Sequence, residues 1–178
     1  MKSDSIVLIG MAGVGKSTIG SSLARALGFE FIDLDEYISE TEGRTLQEII
    51  DTDGEPAFLQ IERRRMHEID LTGKVVAPGG SIIYHPDLME YLRQHSILVY
   101  LDDSFENIAS KLTNASARGI VGLRNKSLQQ IYDERRPLYS RYAHITVDCR
   151  GKSPDKIVTE ILHRYRDGAY GGLDNHEG

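Results

Sequence analysis

The stretch GMAGVGKSTIG, residues 10–20, constrains the fold more than any other part of the sequence. It follows the apolar run Ser5–Ile9 and precedes an amphipathic stretch at residues 21–27, so it joins a predicted strand to a predicted helix. Residues 10–17 match the pattern G-x-x-x-x-G-K-[ST]. In that pattern, backbone N–H groups surround phosphates, the lysine reaches the β- and γ-phosphates, and the hydroxyl binds Mg²⁺. A glycine-rich turn without a ligand is the alternative, but Lys16 and Ser17 exceed what turn geometry needs.

Short β-rich runs alternate with helical patterns along the rest of the chain, which is typical of βαβ units around a parallel sheet. Strands are predicted at residues 6–9, 29–33, 74–77, 97–101 and 145–147. Helices are predicted at residues 16–27, 35–42, 55–70, 86–94, 104–112, 128–142 and 154–166. The fold class is therefore α/β, with five strands in one sheet.

Composition narrows the possible partners. The chain has 178 residues, the size of one domain, with a formal net charge of −6 that disfavours a general nucleic-acid binder. One cysteine excludes an internal disulfide framework and favours a reducing compartment. Neither a leader nor an apolar run of membrane-spanning length is evident, so we expect a cytoplasmic protein with no membrane partner.

Two carboxylates follow the second predicted strand in the segment FIDLD. Asp33 and Asp35 flank Leu34, which directs both toward the carboxyl edge of the sheet, where α/β proteins build their sites. One carboxylate could order Mg²⁺ and the other could accept a proton from an attacking hydroxyl. A simple helix N-cap is the alternative for Asp35, and the neighbouring phosphate loop favours the functional interpretation.

Glycines and arginines complete the candidate site. Gly79 and Gly80, in PGGS, could let bare backbone approach a ligand, although a simple turn is also consistent with them. The region 113–127 lacks a clear period and is interpreted as a lid. Arginines suited to phosphate or carboxylate lie in and after it, at positions 118, 124, 135 and 136, although most surface arginines are only solvated.

The motifs GMAGVGKSTIG, FIDLD, DGEPAFLQIE, PGGS, ASARG and RRPLY occur in the order and spacing of shikimate kinases, which the chain resembles up to about residue 166. That resemblance implies a three-layer P-loop kinase fold, with a five-stranded parallel sheet in the order 2-3-1-4-5 and a lid. It also implies transfer of the ATP γ-phosphate to the 3-hydroxyl of shikimate, in aromatic amino-acid biosynthesis. Residues 1–167 would form one kinase domain that acts as a monomer, followed by a disordered tail at 168–178.

The resemblance also implies a role for each site residue. Lys16, Asp35 and Arg118 would be catalytic, and Ser17 and Asp33 would hold Mg²⁺. The residues that would bind ATP are Gly13, Val14, Gly15, Lys16, Ser17, Thr18, Arg118 and Pro154. The residues that would bind the small-molecule substrate are Asp35, Leu59, Gly79, Gly80, Ser81 and Arg135.

The chain departs from the family pattern at several of these positions. Leu59 stands where the family has an arginine for the substrate carboxylate, Ser81 stands where it has a third glycine, and Lys111 stands for an adenine-stacking arginine. Glu62, which orients the missing arginine in the family, is predicted to find another partner among residues 63–65 or on the substrate. Arg63 or Arg64 could assist Arg135 with the carboxylate.

These departures leave two alternatives open. One is a kinase of the same fold for another small hydroxyl acceptor, of the gluconate or homoserine type, which Leu59 and Ser81 favour. The other is a nucleotide-binding regulatory module without transfer activity, against which Asp35 and Arg118 argue. A nucleoside-monophosphate kinase is a weaker rival, because no nucleobase-reading pocket is evident.

Overall fold

Five parallel strands form the centre of the structure, a computed structural model that describes residues 5–112 and 119–168. The strands are β1 (Ser5–Ile9), β2 (Glu30–Asp33), β3 (Lys74–Ala77), β4 (Ile97–Asp102) and β5 (Ile145–Asp148). Their order in the sheet is β2-β3-β1-β4-β5, as expected, and every neighbouring pair is parallel. The predicted strands differ from these by single residues at their ends.

Helices cover both faces of the sheet. They are α1 (Lys16–Leu27), α2 (Leu34–Glu42), α3 (Leu46–Asp53), α4 (Glu55–Glu68), α5 (Pro86–His95), α6 (Phe105–Lys111), α7 (Leu128–Tyr142) and α8 (Pro154–Asp167). A short 3₁₀ helix, Gly80–Tyr84, follows β3. Within the described part of the chain, no helix is long and apolar enough to cross a membrane.

The central strand β1 shows how the two cores arise. Its side chains alternate, so Ile6 and Leu8 enter one apolar cluster while Val7 and Ile9 enter another. The smaller cluster packs α1 and α8 against one face of the sheet. The larger cluster packs the remaining helices, α2 to α7, against the opposite face. A three-layer architecture follows, with the strands buried on both sides.

Helix α3 was not expected from the sequence. Its start carries a capping box, in which Thr45 Oγ1 accepts the N–H of Glu48 and the Glu48 carboxylate accepts the N–H of Thr45. The helix buries Ile49 and Ile50 against the larger core, so tertiary packing stabilises a segment whose apolar pattern is short. Together with α4, it borders the site described below.

Gly20 sets how closely α1 packs on the sheet. A Cβ at this position would lie 2.4 Å from Phe31 Cε2 and 3.2 Å from Leu8 Cδ1, so only glycine fits this contact without movement. Alanine is normally the better helix former, by about 1 kcal/mol. Close packing therefore outweighs helix propensity at this position.

We expect Gly20→Ala to lower the free energy of unfolding by about 1–2 kcal/mol, because the ring of Phe31 must move. The same substitution in a Phe31→Leu background should be neutral or stabilising, because the added methyl group then has room. Urea denaturation of the parent, Gly20→Ala, Phe31→Leu and the double variant measures both effects. The exposed Ser21→Ala is the control in the same helix. A more stable Gly20→Ala protein would contradict the close contact.

Candidate active site

The phosphate loop joins β1 to α1 at the carboxyl edge of the sheet. Gly13 and Gly15 have φ values of 84° and 103°, a left-handed conformation that side-chain-bearing residues rarely adopt, so glycine is required where the loop curls. The Lys16 ammonium lies over the loop, where Nζ donates to the carbonyls of Gly10 and Met11 at 2.7 and 2.9 Å. Burial lowers the pKa of Lys16 to about 8, although the charges of Asp35 and Asp33 oppose this shift.

The Asp33 carboxylate links the phosphate loop to helix α2. Its Oδ2 accepts the Ser17 hydroxyl at 2.5 Å, and its Oδ1 accepts the N–H groups of Asp35 and Glu36 at 3.0 and 3.3 Å. Asp33, rather than Asp35, is therefore the N-cap of α2. A hydroxyl and a carboxylate side by side at a phosphate loop suit Mg²⁺, which takes few protein ligands and completes its shell with phosphates and water. In keeping with this, residues 5–112 and 119–168 contain no cluster of three or more acidic, histidine or cysteine side chains that could hold a metal alone.

Asp35 lies in the first turn of α2, the helix that the sequence predicted to begin at this residue. Its Oδ1 atom is buried and has no hydrogen-bond partner within the described residues. Burial, reinforced by the charges of Glu62 and Asp33, raises the pKa of Asp35 from 3.8 to about 7, and only Lys16 opposes the shift. A carboxylate with this pKa is suited to accept a proton near neutral pH.

Two adjoining cavities open at this edge of the sheet. The first, of about 290 Å³, is the nucleotide-side cavity, lined by Ala12, Gly13, Gly15, Lys16, Ser17, Thr18, Asp33, Asp35, Ala77, Pro78, Gly79, Gly80 and Lys111. The second, of about 70 Å³, is the acceptor-side cavity, lined by Ala12, Asp35, Leu46, Phe58, Gly79, Gly80, Ser81, Gly119, Ile120, Val121 and Arg135. Asp35, Gly79 and Gly80 border both cavities, so they lie where a group could pass from one to the other.

Close approach, not backbone strain, explains the glycine pair. Gly79 and Gly80 are absent from the described glycines with positive φ. A Cβ at Gly79 would lie 2.9 Å from Asp35 Oδ1, and one at Gly80 would lie 2.8 Å from Arg135 Nη1. Bare backbone is therefore needed to bring both charged groups to the cavity wall.

Arg135 is almost completely buried, with 1% of its surface exposed. Its Nη2 donates to the Val121 carbonyl at 2.8 Å, its Nε donates to the Tyr84 hydroxyl at 3.2 Å, and the guanidinium lies over the Tyr84 ring. No carboxylate of the described residues forms an ion pair with it. A buried cation held only by neutral groups is well suited to bind an anionic ligand group.

Side chains of α3 and α4 hold residues 119–122, a segment that lines part of the acceptor-side cavity and that we call the roof. Gln47 Oε1 accepts the N–H of Gly119 at 2.8 Å, and Glu55 Oε1 accepts the N–H of Gly122 at 2.7 Å. Between these two glycines, Val121 accepts from Arg135. The roof is thus held at two points, one on α3 and one on α4.

Three predicted site residues do not contribute to the lining of either cavity. Val14 is buried in the smaller core, Leu59 packs against the larger core, and Pro154 is exposed in the first turn of α8, so none of these three lines either cavity. Residues 113–118 of the expected lid, Arg118 among them, lie outside the described residues, as does the tail beyond residue 168. Lys111 does line the nucleotide-side cavity, where it pairs with Asp103 at 3.1 Å.

The arginines predicted to assist with the substrate or with Glu62 have other partners. Arg63 pairs with Asp87, and Arg64 and Arg65 both pair with Glu42. Arg124 pairs with Asp51 and Arg136 with Asp102. The prediction that residues 63–65 hold Glu62 was wrong, because the partners of this carboxylate are Ser81 and His85.

Transfer of a phosphoryl group from a nucleotide to a small acceptor is the chemistry that these adjoining cavities can support, which makes the protein a P-loop kinase of small molecules. The match to a family model extends this conclusion. The model described as shikimate kinase matches residues 12–166, and the chain belongs to the shikimate kinase family. It is an ATP-dependent phosphotransferase that acts on a hydroxyl group and uses Mg²⁺ with ATP.

Individual relatives agree over nearly the whole chain. The shikimate kinase of Persephonella marina is 32% identical over 90% of this chain and 98% of its own. That of Geobacter sulfurreducens is 36% identical over 91% of both chains. The solved structure of Acinetobacter baumannii shikimate kinase in complex with shikimate has a TM-score of 0.85 at 30% identity, and the alignment covers 92% of this chain and 93% of that one.

Asp35→Asn is expected to stabilise the fold. Because the pKa of Asp35 is raised to about 7, its ionised form opposes folding, and this effect is absent below the ordinary pKa of 3.8 and complete above the raised one. At about pH 8 the variant should melt about 2 °C or more above the parent, and the gap should shrink toward about pH 5. Calorimetry across this range measures the difference, and a gap that does not change with pH would contradict the raised pKa.

Glu62→Gln is expected to move the acidic limb of the kcat/KM profile to lower pH. The Glu62 charge helps to raise the pKa of Asp35, and removing it leaves burial, Asp33 and Lys16 to set that pKa. A general base must be ionised to act, so if Asp35 has this role, activity falls as the pH drops through its pKa. Steady-state rates against pH measure the limb, with the exposed Glu90→Gln as the control. An unmoved limb would show that Glu62 does not act on Asp35.

Proposed function

We propose that the protein transfers the γ-phosphate of ATP to the 3-hydroxyl of shikimate. One observation carries this proposal: the unpartnered Asp35 Oδ1 and the buried, carboxylate-free Arg135 line the same small cavity. The first group suits a hydroxyl donor and the second suits an anion. A ligand that satisfies both is a small hydroxy acid.

The remaining wall supports a ring-shaped acceptor. Leu46, Phe58, Ile120 and Val121 also line the acceptor-side cavity. Apolar side chains of this kind suit the carbon face of a cyclic acid. Shikimate combines a ring, a carboxylate and hydroxyls.

Each polar group then has a role in the transfer. Arg135 binds the substrate carboxylate and so orients the ring, which brings the reacting hydroxyl to Asp35. Asp35 accepts the proton of that hydroxyl, and Lys16 stabilises charge on the transferred phosphoryl group. Ser17 and Asp33 would hold Mg²⁺, which supplies charge neutralisation at the phosphates. The backbone of Gly79 and Gly80 permits close approach of both substrates.

The proposal extends to residues that the cavities do not include. We assign ATP binding to the loop from Gly13 to Thr18 together with Arg118 and Pro154, and a place beside the acceptor to Leu59. Arg118 would also act on the transferred phosphoryl group as part of a lid at residues 113–127. The described roof segment supports this role, because Gly119, Ile120 and Val121 line the acceptor-side cavity.

We also propose a monomeric, cytoplasmic enzyme formed by residues 1–167. Tyr91 is the one large apolar side chain that is exposed among the described residues, so the surface offers little for a stable dimer. Cys149 is buried, which is consistent with a protein that needs no disulfide.

ADP release in the presence of ATP and Mg²⁺ tests the acceptor. We expect shikimate to stimulate turnover, gluconate and homoserine to leave it at the rate without acceptor, and Asp35→Asn to abolish it. The acceptors are compared at equal concentration in a coupled assay. Stimulation by gluconate or homoserine alone would replace the proposed acceptor, and no stimulation by any acceptor would favour a regulatory nucleotide-binding protein.

Arg135→Lys is expected to raise the KM for shikimate by about 10- to 100-fold, because a paired guanidinium contact to a carboxylate contributes about 1.5–3 kcal/mol. The KM for ATP should change little. Arg136→Lys is the matched control, because Arg136 is the next residue in the chain and its own guanidinium pairs with Asp102 on the surface. Melting temperatures of both variants verify the fold, and an unchanged KM for shikimate in Arg135→Lys would remove this residue from the acceptor site.

A further inference from the structure

Glu62 is a fully buried carboxylate without a lysine or arginine partner among the described residues. Its Oε1 accepts the Ser81 hydroxyl at 2.7 Å, and its Oε2 lies 3.2 Å from His85 Nε2. All three side chains are buried, with exposures of 0% for Glu62, 5% for Ser81 and 9% for His85. A buried carboxylate in a folded protein needs such partners, so the three side chains form one network.

This network reaches the wall of the acceptor-side cavity. Ser81 lines the cavity together with Asp35 and Arg135. A Cβ at Gly79 would lie 2.9 Å from Asp35 Oδ1 and 3.2 Å from Glu62 Oε1, so the two carboxylates flank one glycine. Ser81 therefore lines the same cavity as Asp35, and its hydroxyl binds the carboxylate that lies on the other side of Gly79.

The direction of the hydrogen bonds decides what Ser81 can recognise. A carboxylate only accepts hydrogen bonds, so the single proton of the Ser81 hydroxyl points at Glu62. His85 occupies the other carboxylate oxygen and holds the group in place. The oxygen of Ser81 keeps lone pairs that can accept a bond from a ligand, but it has no proton left to donate.

We propose that Ser81 is a specificity-determining residue, whose oxygen accepts a hydrogen bond from a second hydroxyl of the acceptor beside the one that is phosphorylated. Glu62 and His85 act as positioning residues that fix the direction of the Ser81 hydroxyl. The inference rests on the proposed function and refines its substrate class to a hydroxy acid with neighbouring hydroxyls. A carbonyl or carboxylate oxygen could not receive a hydrogen bond from the Ser81 hydroxyl, because Glu62 already accepts its proton.

Substrate analogues that lack one hydroxyl test this assignment. The parent enzyme, Ser81→Ala and Ser81→Gly are compared for kcat/KM with shikimate, 4-deoxyshikimate and 5-deoxyshikimate. The parent should prefer shikimate over at least one deoxy analogue by about 10- to 100-fold, because an unfilled polar site rejects an analogue without its partner. In both Ser81 variants this preference should fall to within about 3-fold, because the variant site has no partner left to lose.

The matched control is Ser96→Ala. Ser96 is also a buried serine, but its hydroxyl donates to the Leu92 carbonyl within α5, and it should retain the parent's preference. The positioning roles have their own comparison. His85→Gln keeps a donor for Glu62 and should preserve the preference, whereas His85→Leu should reduce it, with melting temperatures recorded for both.

Two results would overturn the inference. The first is a parent enzyme that accepts both deoxy analogues as well as shikimate. The second is a loss of kcat/KM in the Ser81 variants by the same factor for all three substrates, which is the result of a purely structural role. Failure of the proposed function is distinguishable, since the parent would then turn over neither shikimate nor its analogues.

Discussion

The carboxylate of Asp33 is the contact on which the geometry of the site depends. One of its oxygens binds the Ser17 hydroxyl at the start of α1, and the other caps α2. These bonds fix the first turn of the helix that carries Lys16 relative to the first turn of the helix that carries Asp35. Because both helices begin at the carboxyl edge of the sheet, one side chain links the backbone that carries the Lys16 ammonium to the backbone that carries the Asp35 carboxylate.

The charges around the cavities oppose folding and serve binding. Burial lowers the pKa of Lys16 to about 8 and raises that of Asp35 to about 7, so each group is less stable in its charged form than it is in water. Arg135 adds a buried cation. Two apolar clusters, one on each face of the sheet, stabilise the fold and offset the unfavourable burial of these charges. In the proposed function, the phosphates of ATP and the carboxylate of the acceptor would complement these cations.

The residue pattern predicted five strands in one sheet and most helices, because short apolar runs alternate with helical periods, whereas the order of the strands was implied by the resemblance to shikimate kinases. It did not predict α3, although Thr45 and Glu48 form a capping box that was a usable signal. Among the proposed site residues, Lys16, Ser17, Asp33, Asp35, Gly79 and Gly80 line one cavity as expected. His85 was missed, since its contact with Glu62 joins residues far apart in the chain and follows no local pattern. Likewise, close approach at Gly79 and Gly80 depends on neighbours that only the folded chain supplies.

The roof of the acceptor-side cavity belongs structurally to the helices that face it. Gln47 of α3 and Glu55 of α4 accept its two glycine N–H groups, although the strands β3 and β4 lie between these helices and the roof in the sequence. These three segments therefore form a single exchangeable unit. A chimera that takes the roof from a relative must take the α3–α4 pair as well, since either part alone leaves backbone donors without their acceptors.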